Sequence, residues 1–254
     1  MKSVYGEDLE MFRDQIRAFY RREVEPRVGE IAENGVPRDI WLKAGAAGLL
    51  GVTVPEEYGG AGDAGLAIVL GAEELGYSPA GPTVGAFLGT DISSMWLAEY
   101  GTEAQKREWF PKIISGEAIQ AMAMTEPQSG SDAFACRTTA VRDGDDYVIN
   151  GSKCFISNGG KADLIFVICR TDTEVKRGAR GLSAIIVPGG TPGLTQRRMK
   201  TMGYPGGDTG ELFFEDVRVP VTNLVGEEGN AAGMFHINMA LDRLEVGARA
   251  YGAA

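Results

Sequence analysis

The chain has 254 residues, 44% of them apolar, which is enough to bury the cores of one or two domains. Its 35 acidic residues exceed its 25 basic ones, and the resulting formal charge of -10 disfavours binding to nucleic acids. Only one histidine, His236, is present, so a histidine-rich metal site is excluded and we expect no bound metal.

The cysteines and the apolar segments indicate where the protein is found. Cys136, Cys154 and Cys169 are too widely spaced for a disulfide framework, and we expect each to be a small buried side chain. No apolar segment has the length of a membrane span, and the N-terminus lacks an apolar signal region. We therefore expect a soluble, cytoplasmic protein without a membrane span.

The first part of the chain has the apolar spacing of α-helices. Apolar residues recur every three or four positions from Leu9 to Phe19, until Pro26 ends the pattern. A further helical pattern begins at Pro37, and others cover 66–75, 82–100 and 104–114. The sequence therefore predicts a helical N-terminal region.

The pattern changes near Ala118 to short strand-like runs, which include 164–169, 182–187 and 212–219. The dipeptides Asp143-Gly144 and Asn150-Gly151 are strong signals for tight hairpin turns. Short strands separated by turns indicate a β-barrel or a β-sandwich.

Helical spacing returns after about residue 226 and continues to the end of the chain. An apolar stripe is formed by Met234, Ile237, Leu241 and Leu244, which recur at three and four residues. We expect this stripe to be exposed and to drive association with other helices.

Two polar motifs lie in the strand-rich region, "AMTEPQSGSD" at 123–132 and "NGSKCFISNGG" at 150–160. Thr125 and Ser131 stand on either side of a turn fixed by Pro127, while Phe155 and Ser157 share one face of a strand. An aromatic side chain beside hydroxyl groups suits a planar heteroaromatic cofactor. The residues alone fit an ordinary loop beside a core phenylalanine as well.

These motifs, with "GLLGVTVPEEYGGAG", "DTGELFFEDVRVP" and "LDRLEVGARAYG", resemble the acyl-CoA dehydrogenase family, and its long-chain branch most. The resemblance covers the whole chain but lacks most of the family's C-terminal helical domain. It implies an α+β multidomain fold with three parts. These are an N-terminal all-α domain (1–117), a middle antiparallel β-barrel (118–225) and the first helix of a C-terminal four-helix bundle (226–254).

The resemblance also implies an FAD site. Thr125 is similar to the hydroxyl that bonds the flavin pyrimidine edge, Phe155 to an aromatic beside the flavin, and Ser157 to a hydroxyl near flavin N5. Ser131 resembles a residue that also contacts the pantetheine of the acyl-CoA substrate. The complete implied cofactor set is Met122, Met124, Thr125, Gly130, Ser131, Phe155, Ile156 and Ser157.

The catalytic base implied by the resemblance is Asp242, which precedes Arg243 on the last helix. Arg243 is expected to meet the CoA side of the substrate. Aspartate is shorter than the family's glutamate by one methylene, about 1.5 Å. A solvated helix carboxylate and a surface ion pair are the alternative interpretations of these two residues.

The implied function is FAD-dependent α,β-dehydrogenation of an acyl-CoA thioester, with electrons passed to an electron-transfer acceptor. We also expect a homo- or hetero-oligomer, and weak FAD binding by the isolated chain because the adenine-side segments are missing. Two alternatives remain open. The chain could be a non-catalytic or partner subunit of a heteromeric complex, or it could be a flavin oxidase of the same fold.

Overall fold

The structure is a computed structural model that describes residues 5–62, 65–85, 87, 92–175 and 178–254, without the side chains of 92 and 236–238. Its first half consists mainly of α-helices, as the spacing predicts. The helices are α1 (Glu7–Phe19), α2 (Val28–Asn34), α3 (Arg38–Ala46), α4 (Leu66–Tyr77), α5 (Gly81–Val84), α6 (Ile92–Tyr100) and α7 (Glu103–Ile114). In the part of the chain that is described, no helix is both long and apolar enough to cross a membrane.

An eight-stranded sheet and a long helix follow. The strands are β1 (Gln120–Ala123), β2 (Thr139–Asp143), β3 (Asp146–Ile156), β4 (Leu164–Arg170), β5 (Leu182–Pro188), β6 (Leu194–Arg198), β7 (Gly210–Pro220) and β8 (Leu224–Val225). The last helix is α8 (Ala231–Ala253). The fold class implied by the resemblance is confirmed, and the divisions at 117/118 and 225/226 stay predictions.

The sheet is mixed, whereas the sequence suggested a wholly antiparallel one. Its strand order is β6-β7-β3-β2-β4-β5-β8, and β1 pairs with β4 outside this path. Both β1 and β2 run parallel to β4, while the other pairs are antiparallel. The chain reaches these parallel neighbours through crossover connections, which hairpin signals do not reveal.

Strand β4 is buried on both faces and connects two of the hydrophobic cores. Ile165 and Val167 face a core formed by the sheet itself. Phe166 and Ile168 face a second core, where they meet Trp96 and other residues from α6, α7 and α8. This double burial explains why the strand is a continuous apolar run without polar alternation.

The two predicted hairpins have different outcomes. The turn at Asp143-Gly144 joins β2 to β3, with Asp143 opposite Asp146. Asn150-Gly151 is no turn, because β3 continues through it and shifts register against β7 between Ile149 and Gly151. Gly151 has φ 144, and a Cβ there would lie 2.5 Å from the Thr138 Oγ1 atom. The glycine therefore serves a β-bulge and a close backbone contact.

Helix α8 packs closely against α4 through glycines. A Cβ at Gly76 would lie 2.0 Å from the backbone oxygen of Arg249, and one at Gly252 would lie 1.9 Å from that of Glu73. The two backbones therefore approach too closely for any side chain at the crossing. This contact joins the last helix to the helical N-terminal region.

The expectation of an exposed stripe on α8 is wrong for two of its residues. Met234 is buried in the core beside the sheet, and Leu241 is buried against the start of α4, where it meets Ile68. Leu244 is 60% exposed, and the side chain of Ile237 lies outside the described residues. Met234 and Leu241 are covered because α8 packs on other parts of its own chain.

The end of α2 is held by side chains from the sheet region. The Arg198 guanidinium donates hydrogen bonds to the backbone oxygens of Ala32 and Glu33, and the Lys161 ammonium donates one to that of Val36. Cations suit the C-terminal end of a helix, where carbonyl groups lack partners within the helix. These bonds fix the sheet relative to the helical region.

We expect Gly76→Ala to lower the free energy of unfolding by about 2 to 4 kcal/mol, because the added Cβ collides with backbone rather than with a movable side chain. Urea unfolding measures this loss. Gly71→Ala on the same helix is the matched control, since its Cβ would only reach ordinary contact with Ile16 at 4.0 Å. Equal stability of the two variants would contradict the close helix crossing.

Candidate functional site

The candidate cofactor loop, residues 122–131, begins where β1 leaves the sheet. Two backbone hydrogen bonds close a tight turn, from the Glu126 amide to the Ser129 oxygen at 3.1 Å and from the Ser129 amide to the Glu126 oxygen at 3.0 Å. Pro127 follows Glu126 in this turn, and its ring restricts the backbone. The turn is therefore shaped by the chain itself.

A buried ion pair lies beneath this loop. The Lys153 ammonium is 2.9 Å from Oε1 of Glu126, and the two side chains are 0% and 1% exposed. Lys153 also donates a hydrogen bond to the Met124 backbone oxygen at 2.9 Å. Removing two charges from water is costly, so each depends on its partner and on the surrounding hydrogen bonds.

The Glu126 carboxylate binds several further donors. It accepts hydrogen bonds from the Arg137 amide at 2.7 Å, the Thr138 amide at 2.9 Å, the Gln128 side chain at 2.6 Å and the Cys136 thiol at 3.1 Å. Burial alone raises the pKa of Glu126, but the Lys153 charge and these hydrogen bonds outweigh it and lower the pKa to about 2. The carboxylate is therefore ionised at neutral pH and ties the loop to residues 136–138.

The end of β3 lies directly beside the loop. The Cys154 amide donates a hydrogen bond to the Thr125 backbone oxygen at 2.9 Å. The next side chain, Phe155, is 64% exposed, whereas Ile156 is buried in the sheet core. Ser157 is again exposed, so Phe155 and Ser157 alternate with a buried residue. An accessible aromatic ring thus follows the residue that is hydrogen-bonded to Thr125.

The prediction that Ser157 lies on the same strand as Phe155 is wrong, because Ser157 lies in the turn that follows β3. β3 ends at Ile156, after a register shift against β7 between Lys153 and Ile156. Phe155 has φ 57, a left-handed conformation that is unfavourable for a bulky residue. Such strain is concentrated at functional sites.

The remaining cofactor residues have different environments. Met122 and Met124 are partly buried and pack against the core shared with the helices. Gly130 and Ser131 are exposed immediately after the turn. The structure therefore joins the Met124–Glu126 segment to the end of β3 by direct hydrogen bonds, while contacts of the implied residues with a flavin stay predictions.

The predicted base and its neighbour lie on α8. Asp242 is half-buried, and burial raises the pKa of its carboxyl while the Arg243 charge opposes the rise. No other described side chain forms a hydrogen bond or ion pair with Asp242 in this structure. Arg243 is exposed. Their catalytic and CoA-binding roles stay predictions.

Two features of the site were missed by reasoning from the sequence. Lys153 and Glu126 lie inside the two motifs, but neither is among the residues that the resemblance places in contact with the flavin. Lysine is almost never fully buried without a partner, and the residues around Lys153 in β3, several of them exposed, gave no sign of its burial. Among the residues described, no group of three or more His, Cys, Asp or Glu side chains could hold a metal ion.

Comparison with known proteins gives consistent matches along the chain. Residues 6–117 match the family "Acyl-CoA dehydrogenase, N-terminal domain", and residues 121–217 match "Acyl-CoA dehydrogenase, middle domain". The long-chain specific acyl-CoA dehydrogenase of Mus musculus mitochondria is 39% identical over 244 residues, which cover 95% of this chain and 56% of that protein. The chain therefore spans little more than half the length of this relative.

Solved structures of similar proteins agree with these matches. The acyl-CoA dehydrogenase of Geobacillus kaustophilus has a TM-score of 0.90 and 42% identity, covering 98% of this chain and 66% of that one. A glutaryl-CoA dehydrogenase of Mycobacterium smegmatis in complex with FADH2 has a TM-score of 0.85 and 29% identity, covering 98% and 62%.

We expect Lys153→Met to lower the free energy of unfolding by about 3 to 5 kcal/mol at neutral pH, because the Glu126 carboxylate stays buried without its counter-charge. The stabilising ionisation of Glu126 is complete above its ordinary pKa of 4.5 and is lost as the pH falls towards about 2. The difference from the unmodified chain should therefore shrink over this range in urea unfolding.

The matched control for this prediction is Arg197→Met, which removes an exposed partner of Glu211 on the same sheet. Its loss should stay below about 1 kcal/mol. Equal losses for the buried and the exposed pair, or a loss from Lys153→Met that does not depend on pH, would contradict the prediction.

Proposed function

The chain belongs to the acyl-CoA dehydrogenase family of flavoprotein oxidoreductases, and on this premise we propose that it forms the flavin- and substrate-binding part of an FAD-dependent acyl-CoA dehydrogenase. One observation carries the proposal for this chain. Phe155, exposed and in a strained conformation, directly follows the residue that is hydrogen-bonded to Thr125. An aromatic ring beside a polar loop suits the binding of a planar flavin ring.

The residues present fit FAD as a ligand. Phe155 offers a ring for packing against the flavin. Thr125 offers a hydroxyl group, and its backbone is held by the hydrogen bond from Cys154. Ser157 offers a second hydroxyl group in the adjoining turn. FAD, when bound there, would supply a two-electron acceptor for substrate oxidation. The buried pair beneath the loop would keep Thr125 in place before the cofactor binds, which lowers the ordering cost of binding.

Asp242 is the base in this proposal. Its carboxylate would accept the proton from the α-carbon of the acyl thioester, and FAD, held beside Phe155, would supply the electron acceptor for the oxidation. The burial that raises the pKa of Asp242 makes the carboxylate a better proton acceptor. Arg243 would contribute a positive charge near the CoA part of the substrate.

The finer assignments belong to the same proposal. The chain spans 56% of the length of the Mus musculus relative, so the activity of a whole enzyme of this kind is part of the proposal. We propose that it works in the cytoplasm as a homo- or hetero-oligomer, and that its electrons pass to a separate acceptor protein.

We expect Phe155→Gly to separate stability from cofactor binding. Glycine relieves the positive φ, so the free energy of unfolding should rise by about 1 kcal/mol, while loss of the ring should weaken FAD binding about tenfold. Urea unfolding and titration of FAD fluorescence measure the two effects. Val141→Ala, which shortens another exposed apolar side chain on the sheet, should leave FAD binding unchanged. Unchanged FAD affinity in Phe155→Gly would exclude a role for the ring.

We expect Asp242→Asn to abolish bleaching of the flavin absorbance when acyl-CoA is added to the chain at saturating FAD. Asp242→Glu should retain or raise the rate, because its longer side chain restores the reach that aspartate lacks. Glu227→Gln, which neutralises an exposed carboxylate shortly before α8, is the control and should bleach at the normal rate. Bleaching of Asp242→Asn at the unmodified rate would show that the base lies elsewhere.

A further inference from the structure

Asn158 lies in the turn that follows β3, directly after Ser157. It is 3% exposed, and its φ of 58 is left-handed, a conformation that asparagine adopts more readily than most residues. Its backbone oxygen accepts hydrogen bonds from the amides of Lys161 at 3.0 Å and Ala162 at 2.9 Å. The backbone of Asn158 therefore closes the turn that carries Ser157.

The side chain of Asn158 connects this turn to the other half of the candidate cofactor site. Its Nδ2 atom donates a hydrogen bond to the Gln120 backbone oxygen at 3.1 Å. Gln120 is the first residue of β1, the strand that leads into the loop 122–131. The Asn158 amide also donates a hydrogen bond to the Gly207 oxygen at 3.3 Å. Asn158 thus joins the turn to two segments that are distant in sequence.

Gln120 is in turn held by helix α6. Its Nε2 atom donates a hydrogen bond to the Ser94 hydroxyl at 2.9 Å, and its Oε1 atom lies 3.1 Å from the same hydroxyl. Ser94, Gln120 and Asn158 are all buried. A buried polar network whose donors meet acceptors specifies one arrangement. The network therefore sets the position of the turn relative to α6 and β1.

The two implied flavin contacts at the end of β3 are held by different bonds. Phe155 directly follows Cys154, whose amide is bonded to the Thr125 oxygen at 2.9 Å. Ser157 lies two residues further on, and its hydroxyl has no hydrogen-bond partner among the described residues. The position of this hydroxyl therefore depends on the backbone of the turn, which Asn158 anchors.

We propose that Asn158 is a positioning residue for FAD, and that it acts through Ser157 by holding the hydroxyl of that residue where it meets the flavin ring. This inference rests on the proposed function. A hydroxyl that is in place before the cofactor arrives lowers the ordering cost of binding. The buried pair of Lys153 and Glu126 holds the loop of the site, and Asn158 holds its turn.

The first test compares Asn158→Gly with Asn158→Ala by titration of FAD fluorescence. Both variants lack the Nδ2 donor, whereas only alanine is strained at a positive φ. We expect Asn158→Ala to be the less stable of the two in urea, and both variants to bind FAD about fivefold more weakly than the unmodified chain. Far-UV circular dichroism checks that each variant folds.

Asn150→Gly is the matched control for this test. It removes another asparagine from β3, an exposed one whose side chain is hydrogen-bonded to Asp216. Asn150→Gly should bind FAD as the unmodified chain does.

The second test asks whether Asn158 acts through Ser157. Ser157→Ala should weaken FAD binding about tenfold, because it removes the hydroxyl itself. Asn158→Gly added to Ser157→Ala should then cause no further loss, since the group that it positions is already absent. A residue that only stabilised the fold would add its own loss, for about fiftyfold in total.

Unchanged FAD affinity in Asn158→Gly and Asn158→Ala would overturn the inference, while FAD binding by the unmodified chain would leave the proposed function standing. A loss confined to Asn158→Ala would also overturn the inference, because it would assign the effect to backbone strain. Additive losses in the double variant would overturn the action through Ser157. Failure of the unmodified chain to bind FAD would overturn the proposed function together with the inference.

Discussion

Lys153 and Glu126 place two opposite charges in the interior of the protein, 2.9 Å apart. Lys153 binds the backbone at Met124, and Glu126 binds it at Arg137 and Thr138. The cofactor loop, residues 137–138 and strand β3 therefore meet at one carboxylate and one ammonium. The shape of the candidate cofactor loop follows from this arrangement, because desolvated charges tolerate little displacement from their partners. The backbone of Thr125 is thereby held in place by the buried ion pair and its hydrogen bonds.

The helices and strands of this fold could largely be predicted from the sequence, since apolar periodicity reports directly which faces are buried. β4 is an instance, as its unbroken apolar run reflects a strand covered on both faces. Asn150-Gly151 could not be interpreted correctly in the same way. An Asn-Gly pair fits a hairpin turn and a β-bulge equally well. The structure shows a bulge here, where Thr138 from another segment lies against Gly151.

The candidate site was predictable as a set of residues but not as a geometry. The spacing of Phe155 and Ser157 indicated a shared face, yet the positive φ of Phe155 depends on a register shift against β7 that local sequence does not specify. On α8, the spacing showed an apolar stripe but could not show that Leu241 finds its cover on α4 of the same chain. Both outcomes depend on which distant segment becomes the neighbour.

The bonds from Arg198 and Lys161 to the end of α2 have a consequence for how the protein folds. The last carbonyl groups of a helix must find partners outside it, and here side chains that arrive more than a hundred residues later supply them. Without the sheet region, α2 would end with these carbonyl groups in water, and its last turn would fray. A boundary that is clear in the sequence therefore need not separate two autonomous units, because these bonds couple α2 to the sheet region.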